Sequence, residues 1–391
     1  MFKTLFLLPP TVWLLSWISF FNDTAGELVY SLLPIYVTAV LMAGPKALGL
    51  IEGIAESAGS FFKLFSGILS DRTRSTKPWV VGGYSLAAVS RPLLSLAGSW
   101  PMVLLLRFGD RLGKGLRTSP RDALLALSVP QDRRGLAFGF HRAFDSFGSV
   151  IGPFIAAWLL SRHMPIREIF LWVALPGAVT VLMTLLIREP ARMEKKSPSP
   201  FEWNLRGFPP KFKRYLVVLA LFTLGNASNT FLLLRAKDLG LPDEQVPLIW
   251  GVVSLAAALF STPLSALSDR IGRTRLIVAG WTIYGFFYLF LGFNGFQLWS
   301  LWPLFAFYGL FMAATEGVEK ALVADLAPSS LLGTAFGWFH LTAGFLLLPS
   351  SILFGWLWEA WSPQLAFSVS AGCAFLAAFL LKFWVIREPL R

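Results

Sequence analysis

The sequence predicts an all-α membrane protein: twelve transmembrane helices in two pseudo-symmetric six-helix bundles. Three observations carry that prediction. The 391 residues are 55% hydrophobic and 14% charged, with 36 Phe and 16 Trp, which is more apolar surface than a soluble fold of this length can hide. About twelve apolar runs are long enough to cross ~30 Å of hydrocarbon at ~1.5 Å per residue. Segments also recur at one offset: LSDR at 69–72 returns at 267–270, and GLAFG at 135–139 returns as GTAFG at 333–337. Ala123, Leu124, Ala126 and Pro130 likewise return as Ala321, Leu322, Ala324 and Pro328. All three matches lie about 198 residues apart, the mark of a duplicated six-helix unit.

The runs fall near 11–40, 46–70, 78–98, 101–123, 135–160, 168–188, 214–235, 246–268, 274–294, 300–324, 333–358 and 365–386. The opening MFKTLFLLPPTVWLL has one Lys before its apolar residues and no small-residue cleavage site, so it is expected to be the first span and not a removed signal. Between the sixth and seventh runs lies EPARMEKKSPSPFEWNLRGFPPKFKR, which is polar, basic and proline-rich. It divides the chain into an amino-terminal bundle (1–189), a linker (190–213) and a carboxy-terminal bundle (214–391).

Loop charges set the expected orientation. On the linker's side the loops hold Arg72, Arg74, Lys77, Arg133, Arg134, Arg270, Arg273 and Arg275, whereas the other side has Lys46, Arg162, Arg167, Arg235 and Lys237. The positive-inside rule then places the linker and both termini in the cytoplasm, as a multi-pass protein of the cell (inner) membrane. Trp100, Trp299, Trp302, Trp358 and Trp361 gather at the outer interface.

Several function classes fall away. The net charge of +12 is spread over short loops and not collected into an aromatic-laced patch, which argues against nucleic acid as a partner. Cys373 is the sole cysteine, so no intrachain disulfide can form, and His141, His163 and His340 have no ligand spacing. H-E-x-x-H and G-x-S-x-G are both absent, so an enzyme is not expected.

The fourth run is the informative one. In RFGDRLGKGLRTSPRDALLA (107–126), Arg107, Asp110, Arg111, Lys114, Arg117, Thr118 and Arg121 share an arc of roughly 120° at ~100° per residue. Leu105, Leu112 and Leu116 lie opposite. Each such charge costs about 2.5–3.5 kcal/mol at mid-membrane on insertion scales, so the stripe must face protein or water and not lipid. The first run carries a matching line of Ser16, Ser19, Asp23, Glu27 and Tyr30, and the second adds Glu52, Glu56 and Lys63. Glu52, Glu56, Arg91 and Arg142 read equally well as members of mutual ion pairs. Carboxylates beside cations in a partly dry cavity can take up and release protons. Asp23, Glu27 and Asp110 are therefore the candidate proton carriers. Arg107, Arg111 and Lys114, with Tyr30, are the candidate binders of an anionic or zwitterionic solute. Residues 276–315 carry no charge, which leaves Asn226 and Asn229 as the polar candidates of the second half.

Two six-helix halves around a basic loop resemble the major facilitator superfamily over nearly the whole chain. GILSDRTRSTK (67–77) resembles that family's loop between the second and third helices, with Arg74 in place of a Gly. SALSDRIGRTR (265–275) is the second copy and keeps Gly272 but opens with Ser265. Arg107 stands where the family often has an intramembrane Arg. Gly139, Gly148, Gly152 and Pro153 match the helix 5 motif of proton-driven antiporters, except that Ala156 and Ala157 replace its closing glycines. The resemblance implies that the first, fourth, seventh and tenth helices line a central cavity. It also implies that Gly67, Asp71, Arg72, Asp269 and Arg270 belong to a latch, and that Gly148, Gly152 and Pro153 serve gating. Gly148 and Gly152, one turn apart, also read as plain packing glycines.

The function expected from these readings is a proton-coupled secondary active transporter that exports a small organic compound by alternating access. It would act as a monomer in the bilayer, without a cofactor and with the proton gradient as its energy source. Proton-coupled uptake is the alternative within the class, and a non-transporting receptor on a transporter fold is the alternative outside it.

Overall fold

The structure, a computed structural model, describes residues 8–43, 45–189, 205–241, 245–293 and 297–385, and every regular element among them is helical. The first six spans are α1 (Pro10–Ile35), α2 (Pro45–Thr73), α3 (Lys77–Leu93), α4 (Trp100–Leu127), α5 (Arg134–Ser161) and the consecutive pair α6 (Ile166–Trp172) and α7 (Ala174–Leu185). The second six are the pair α8 (Pro210–Gly225) and α9 (Thr230–Asp238), then α10 (Val246–Ile271), α11 (Arg273–Gly292), α12 (Leu301–Leu326), α13 (Leu332–Ala360) and α14 (Pro363–Leu380). Residues 190–204 of the expected linker lie outside the described residues, and α8 begins at Pro210.

Local chemistry explains the boundaries. Prolines stand in the first turn of α1, α3, α4, α8, α10 and α14, where a missing N–H has no helical partner to lose. Ser362 caps α14, its hydroxyl accepting from the Leu365 N–H at 3.2 Å. The sixth span is interrupted because Pro176 cannot donate to the carbonyl four residues back, and the helix restarts at Ala174. The seventh is interrupted at Asn226–Ala227–Ser228–Asn229, a run whose short polar side chains compete with helical hydrogen bonding. Gly272 turns the chain between α10 and α11 at φ 97°, and Arg74, its counterpart one repeat earlier, also sits at positive φ, 54°.

Seven helical segments among the described residues are long and apolar enough to cross a membrane on composition alone. α4 is not among them, because its charged stripe lowers its hydropathy. Its cost is offset inside the fold: Arg107, Asp110, Arg117, Arg121 and Asp122 are all buried.

Two compact units emerge. The first holds residues 1–130, 144–203 and 329–341; the second holds 131–143, 204–328 and 342–391. Within the first, α4 packs on α2 and α3, while α7 packs on α1 and α3. Within the second the same pattern returns, with α12 on α10 and α11, and α14 on α8 and α11. The duplication seen in sequence is thus a duplication of packing. In the first unit Glu189 ties the end of the sixth span to the start of α3. Its carboxylate accepts from the Thr76 hydroxyl at 2.6 Å, the Lys77 N–H at 2.6 Å, the Ser75 hydroxyl at 3.1 Å and the Thr76 N–H. Burial alone would raise this carboxyl, but the hydrogen bonds from Thr76, Lys77 and Ser75 outweigh it and hold Glu189 below the ordinary glutamate range.

Candidate functional site

α1 and α4 build the site in the first unit. One face of α1 presents Asp23, Glu27 and Tyr30, and the charged arc of α4 presents Arg107, Asp110, Arg111, Lys114 and Arg117, around a cavity of about 340 Å³. Arg91 from α3 completes the wall. Five cations thus face three carboxylates, so the lining is net positive when all are ionised. All seven of the charged and tyrosine candidates named from the first half's helical faces, three for protons and four for solute, meet in this one space. A second depression, beside α6, is lined by Glu168 and by Leu171, Trp172, Ala174 and Leu175, the apolar, exposed surface expected to face lipid.

Hydrogen bonds sort the charges. Asp110 is gripped from two sides, by Arg91 Nε at 2.9 Å and by Arg107 Nη1 at 3.1 Å. Arg91 is itself fixed by α1, donating from Nη1 to the Asn22 carbonyl at 2.8 Å and to Asn22 Oδ1 at 3.1 Å. Asn22 Nδ2 in turn donates to Asp23 Oδ1 at 2.7 Å. A buried carboxylate between two guanidiniums is compensated, whereas removing one partner would strand a charge. Arg91 therefore belongs to the ion pairing that the sequence left open. The side chains of Glu52 and Glu56 lie outside the described residues. Arg107 also lies 6.0 Å from the Tyr30 ring centre, close enough for a cation–π contact.

Glycines on α5 set where α1 stands. A Cβ on Gly148 would come 2.6 Å from the Phe20 carbonyl oxygen, and one on Gly152 would come 2.6 Å from the Thr24 carbonyl oxygen and 3.0 Å from Glu27 Cβ. Bare backbone at both positions lets α1 lie directly on α5 with Asp23 and Glu27 next to the contact. Pro153 follows inside α5, where it withdraws one helical donor. The plain packing role and proximity to the charged cavity therefore coincide at these glycines.

The two SDR carboxylates each cap a helix. Asp71, buried in the first unit, accepts from the Gly333 N–H at 3.0 Å, the Thr334 N–H at 2.6 Å and the Thr334 hydroxyl at 2.8 Å, at the start of α13. Gly67, one turn earlier, has no room for a side chain against the Gly333 carbonyl. In the second unit Asp269 accepts from the Gly135 and Leu136 N–H groups at 3.0 and 2.9 Å, at the start of α5. A carboxylate at orphan helix N–H groups is the favourable pairing of charge with helix dipole. Arg72 and Arg270 point away and are exposed.

Asn226 and Asn229 lie at the break between α8 and α9 in the second unit. Their side-chain oxygens accept from the Tyr284 and Tyr308 hydroxyls at 3.3 and 2.8 Å. Neither lines the charged cavity, whose wall is confined to the first unit.

Four features escaped sequence reasoning. Asn22 joins Arg91 to Asp23; a polar residue beside Asp23 on an otherwise apolar turn was the available signal. Arg117 lies over Tyr84 with its guanidinium carbon 4.4 Å from the ring centre. Asp122 pairs with Arg121 at 2.9 Å and meets His340 Nε2 at 2.9 Å. In the second unit Arg273 contacts Asp269 and bonds Asp325 at 3.1 Å, and Arg134 bonds Asp325 at 2.9 Å. The bonds from Asp122 to His340 and from Asp325 to Arg134 and Arg273 join residues distant in sequence and have no spacing to betray them.

Comparison with known proteins gives a consistent picture. The sequence model described as Major Facilitator Superfamily matches residues 12–234 and again 215–391. An uncharacterized MFS-type transporter of Methanocaldococcus jannaschii is 34% identical over 388 residues, 96% of this chain and 95% of that one. The multidrug resistance protein MdtG of Klebsiella pneumoniae is 27% identical over 278 residues, 68% of this chain and 66% of that one. Among solved structures, the human organic anion transporter MFSD10 superposes with a TM-score of 0.78 at 18% identity, covering 95% of this chain and 100% of that one. The transporter FucP superposes with a TM-score of 0.79 at 15% identity, covering 96% and 99%.

Proposed function

Because the chain belongs to the major facilitator superfamily and is a multi-pass membrane transporter, we propose that it exports a small anionic or zwitterionic organic compound in exchange for protons. The observation that carries this reading is the meeting of Asp23 and Glu27 from α1 with Arg107, Arg111, Lys114 and Arg117 from α4 around one cavity. Such a site binds one of two occupants. With Asp23 and Glu27 ionised, the carboxylates answer the nearby cations. When protons neutralise them, the cations are left to an anionic solute, and solute leaves as the carboxylates ionise again. Asp110, gripped by Arg91 and Arg107, holds that pair in place.

Alternating access then follows the family's rocking of repeats about a fixed site. The caps made by Asp71 and Asp269 release and re-form during the cycle, with Gly67, Gly148, Gly152 and Pro153 allowing the close approach of backbones. Export is favoured over uptake by the helix 5 glycine pattern and by the distant likeness to MdtG, named as a multidrug resistance protein. The protein works as a monomer in the inner membrane with both termini cytoplasmic, draws on the proton gradient and needs no cofactor; the loop charges support that orientation.

Proteoliposomes under an imposed pH gradient test the reading. Glu27→Gln is expected to abolish gradient-driven flux while leaving counterflow of the same compound. A Glu27→Gln protein that still concentrates solute with unaltered pH dependence removes Glu27 from coupling, and inward accumulation with the proton gradient would replace export by uptake.

A further inference from the structure

Resting on the transport reading above, the geometry points to Arg117 as the residue that recognises the cargo, and to an organic acid bearing a carboxylate or phosphate as that cargo. Three neighbouring arginines, Arg91 on α3 and Arg107 and Arg121 on α4, are engaged. Arg91 and Arg107 close on Asp110, and Arg121 donates to Asp122 from both Nε and Nη2. Arg117 differs. It is only 3% exposed and lines the cavity, yet its Nη1 is buried with no hydrogen-bond partner among the described residues. A buried donor without an acceptor is costly, and native folds rarely keep one without a use.

Tyr84 explains how the residue is held ready. The ring lies 4.4 Å from the guanidinium carbon, so a cation–π contact fixes the guanidinium without consuming any of its N–H donors. A planar fork held in this way matches the two oxygens of a carboxylate or phosphate, which a lysine ammonium cannot do. Arg117 stands seven residues beyond the clamped Asp110 on α4, about 10 Å along the helix, and lines the same cavity. The cavity's 340 Å³ lies at the small end of ligand pockets, about 300–1,000 Å³, so the cargo is a small acid.

The full chain in phosphatidylcholine nanodiscs allows binding to be measured with no gradient present, by ligand-induced shift of the thermal midpoint. The probes are benzoate, phenyl phosphate and the neutral isostere benzamide at millimolar concentration. At least one acid is expected to bind the wild type while benzamide does not, and Arg117→Lys, which keeps the charge but loses the fork, is expected to weaken that acid at least tenfold. Absence of binding by both acids, equal binding of benzamide, or unchanged affinity in Arg117→Lys each overturns the proposal; the first two need no variant to fold. Binding that depends on Arg117 without any flux of the bound acid across proteoliposomes would sink the transport reading and leave this site standing. Proton-driven flux of a compound indifferent to Arg117→Lys would do the reverse.

Discussion

Gly152→Ala adds one methyl group at the place where α5 meets α1, and its consequence can be worked from distances. The new Cβ would stand 2.6 Å from the Thr24 carbonyl oxygen, 2.9 Å from the Leu28 nitrogen and 3.0 Å from Glu27 Cβ. Ordinary contact begins near 3.4 Å, so α1 must retreat by about 0.8 Å. Two of the three atoms are backbone, which cannot swing aside as a side-chain tip would. Overpacking of this kind costs about 1–3 kcal/mol. The retreat carries Glu27 with it, and misplacements near 1 Å in an active constellation cost on the order of 10²-fold in rate. We expect a thermal midpoint lowered by a few degrees and gradient-driven flux in proteoliposomes reduced at least tenfold, with Gly148→Ala behaving similarly through the Phe20 carbonyl. A Gly152→Ala protein with wild-type midpoint and wild-type flux would show that α1 does not need this approach, and the argument from the glycines would fail.

Two further outcomes are expected. Asp71→Asn keeps one acceptor oxygen but turns an amide toward donors that a carboxylate had satisfied, at Gly333 and Thr334. Charge-assisted bonds of this kind contribute about 1.5–3 kcal/mol, so the midpoint should fall and flux should change; identical values for both would rule out the cap as a working element. Arg74→Gly should stabilise the protein, because a left-handed conformation costs a non-glycine residue about 1–2 kcal/mol. The looser unfolded chain gives back about 0.4–1 kcal/mol, leaving a gain of about 0–1.6 kcal/mol, and a fall in the midpoint would contradict it.

Much of the fold was legible because lipid imposes a long apolar run for every crossing, and each of the twelve runs falls on a helical span, with α4 marked in addition by its amphipathic period. The interruptions were not legible from hydropathy. Apolar residues continue through Val173, so only Pro176 marked the restart of α7, and the Asn226–Asn229 break shows in side-chain chemistry and not in the average. The candidate site was legible for a similar reason. Charge is so costly in a span that its helical face predicts its surroundings, and the charged faces of α1 and α4 line one cavity. What the period could not tell was which charges are mutually spent. Asp110 and Arg107 share a face with Lys114 and Arg117, but only the folded chain brings Arg91 from α3 against the first two.

The duplication makes that last point sharper, because the two copies keep their packing and differ in their chemistry. Asp71 and Asp269 occupy equivalent positions and each caps a helix whose second residue is an equivalent Gly, 333 or 135. Asp71 adds a threonine hydroxyl, whereas Asp269 adds Arg273, which bridges onward to Asp325 and Arg134. The backbone contact is therefore the shared requirement, and the side-chain partners are free to diverge around it. The same division holds deeper in the spans. α4 carries a stripe of cations where α12 has aromatic and small residues up to Thr315, and the tyrosines of the second unit bond Asn226 and Asn229 at the break between α8 and α9. Helix positions follow from the ancestral repeat. Under the proposed reading, binding and coupling fall to the copy whose fourth span carries the cationic stripe.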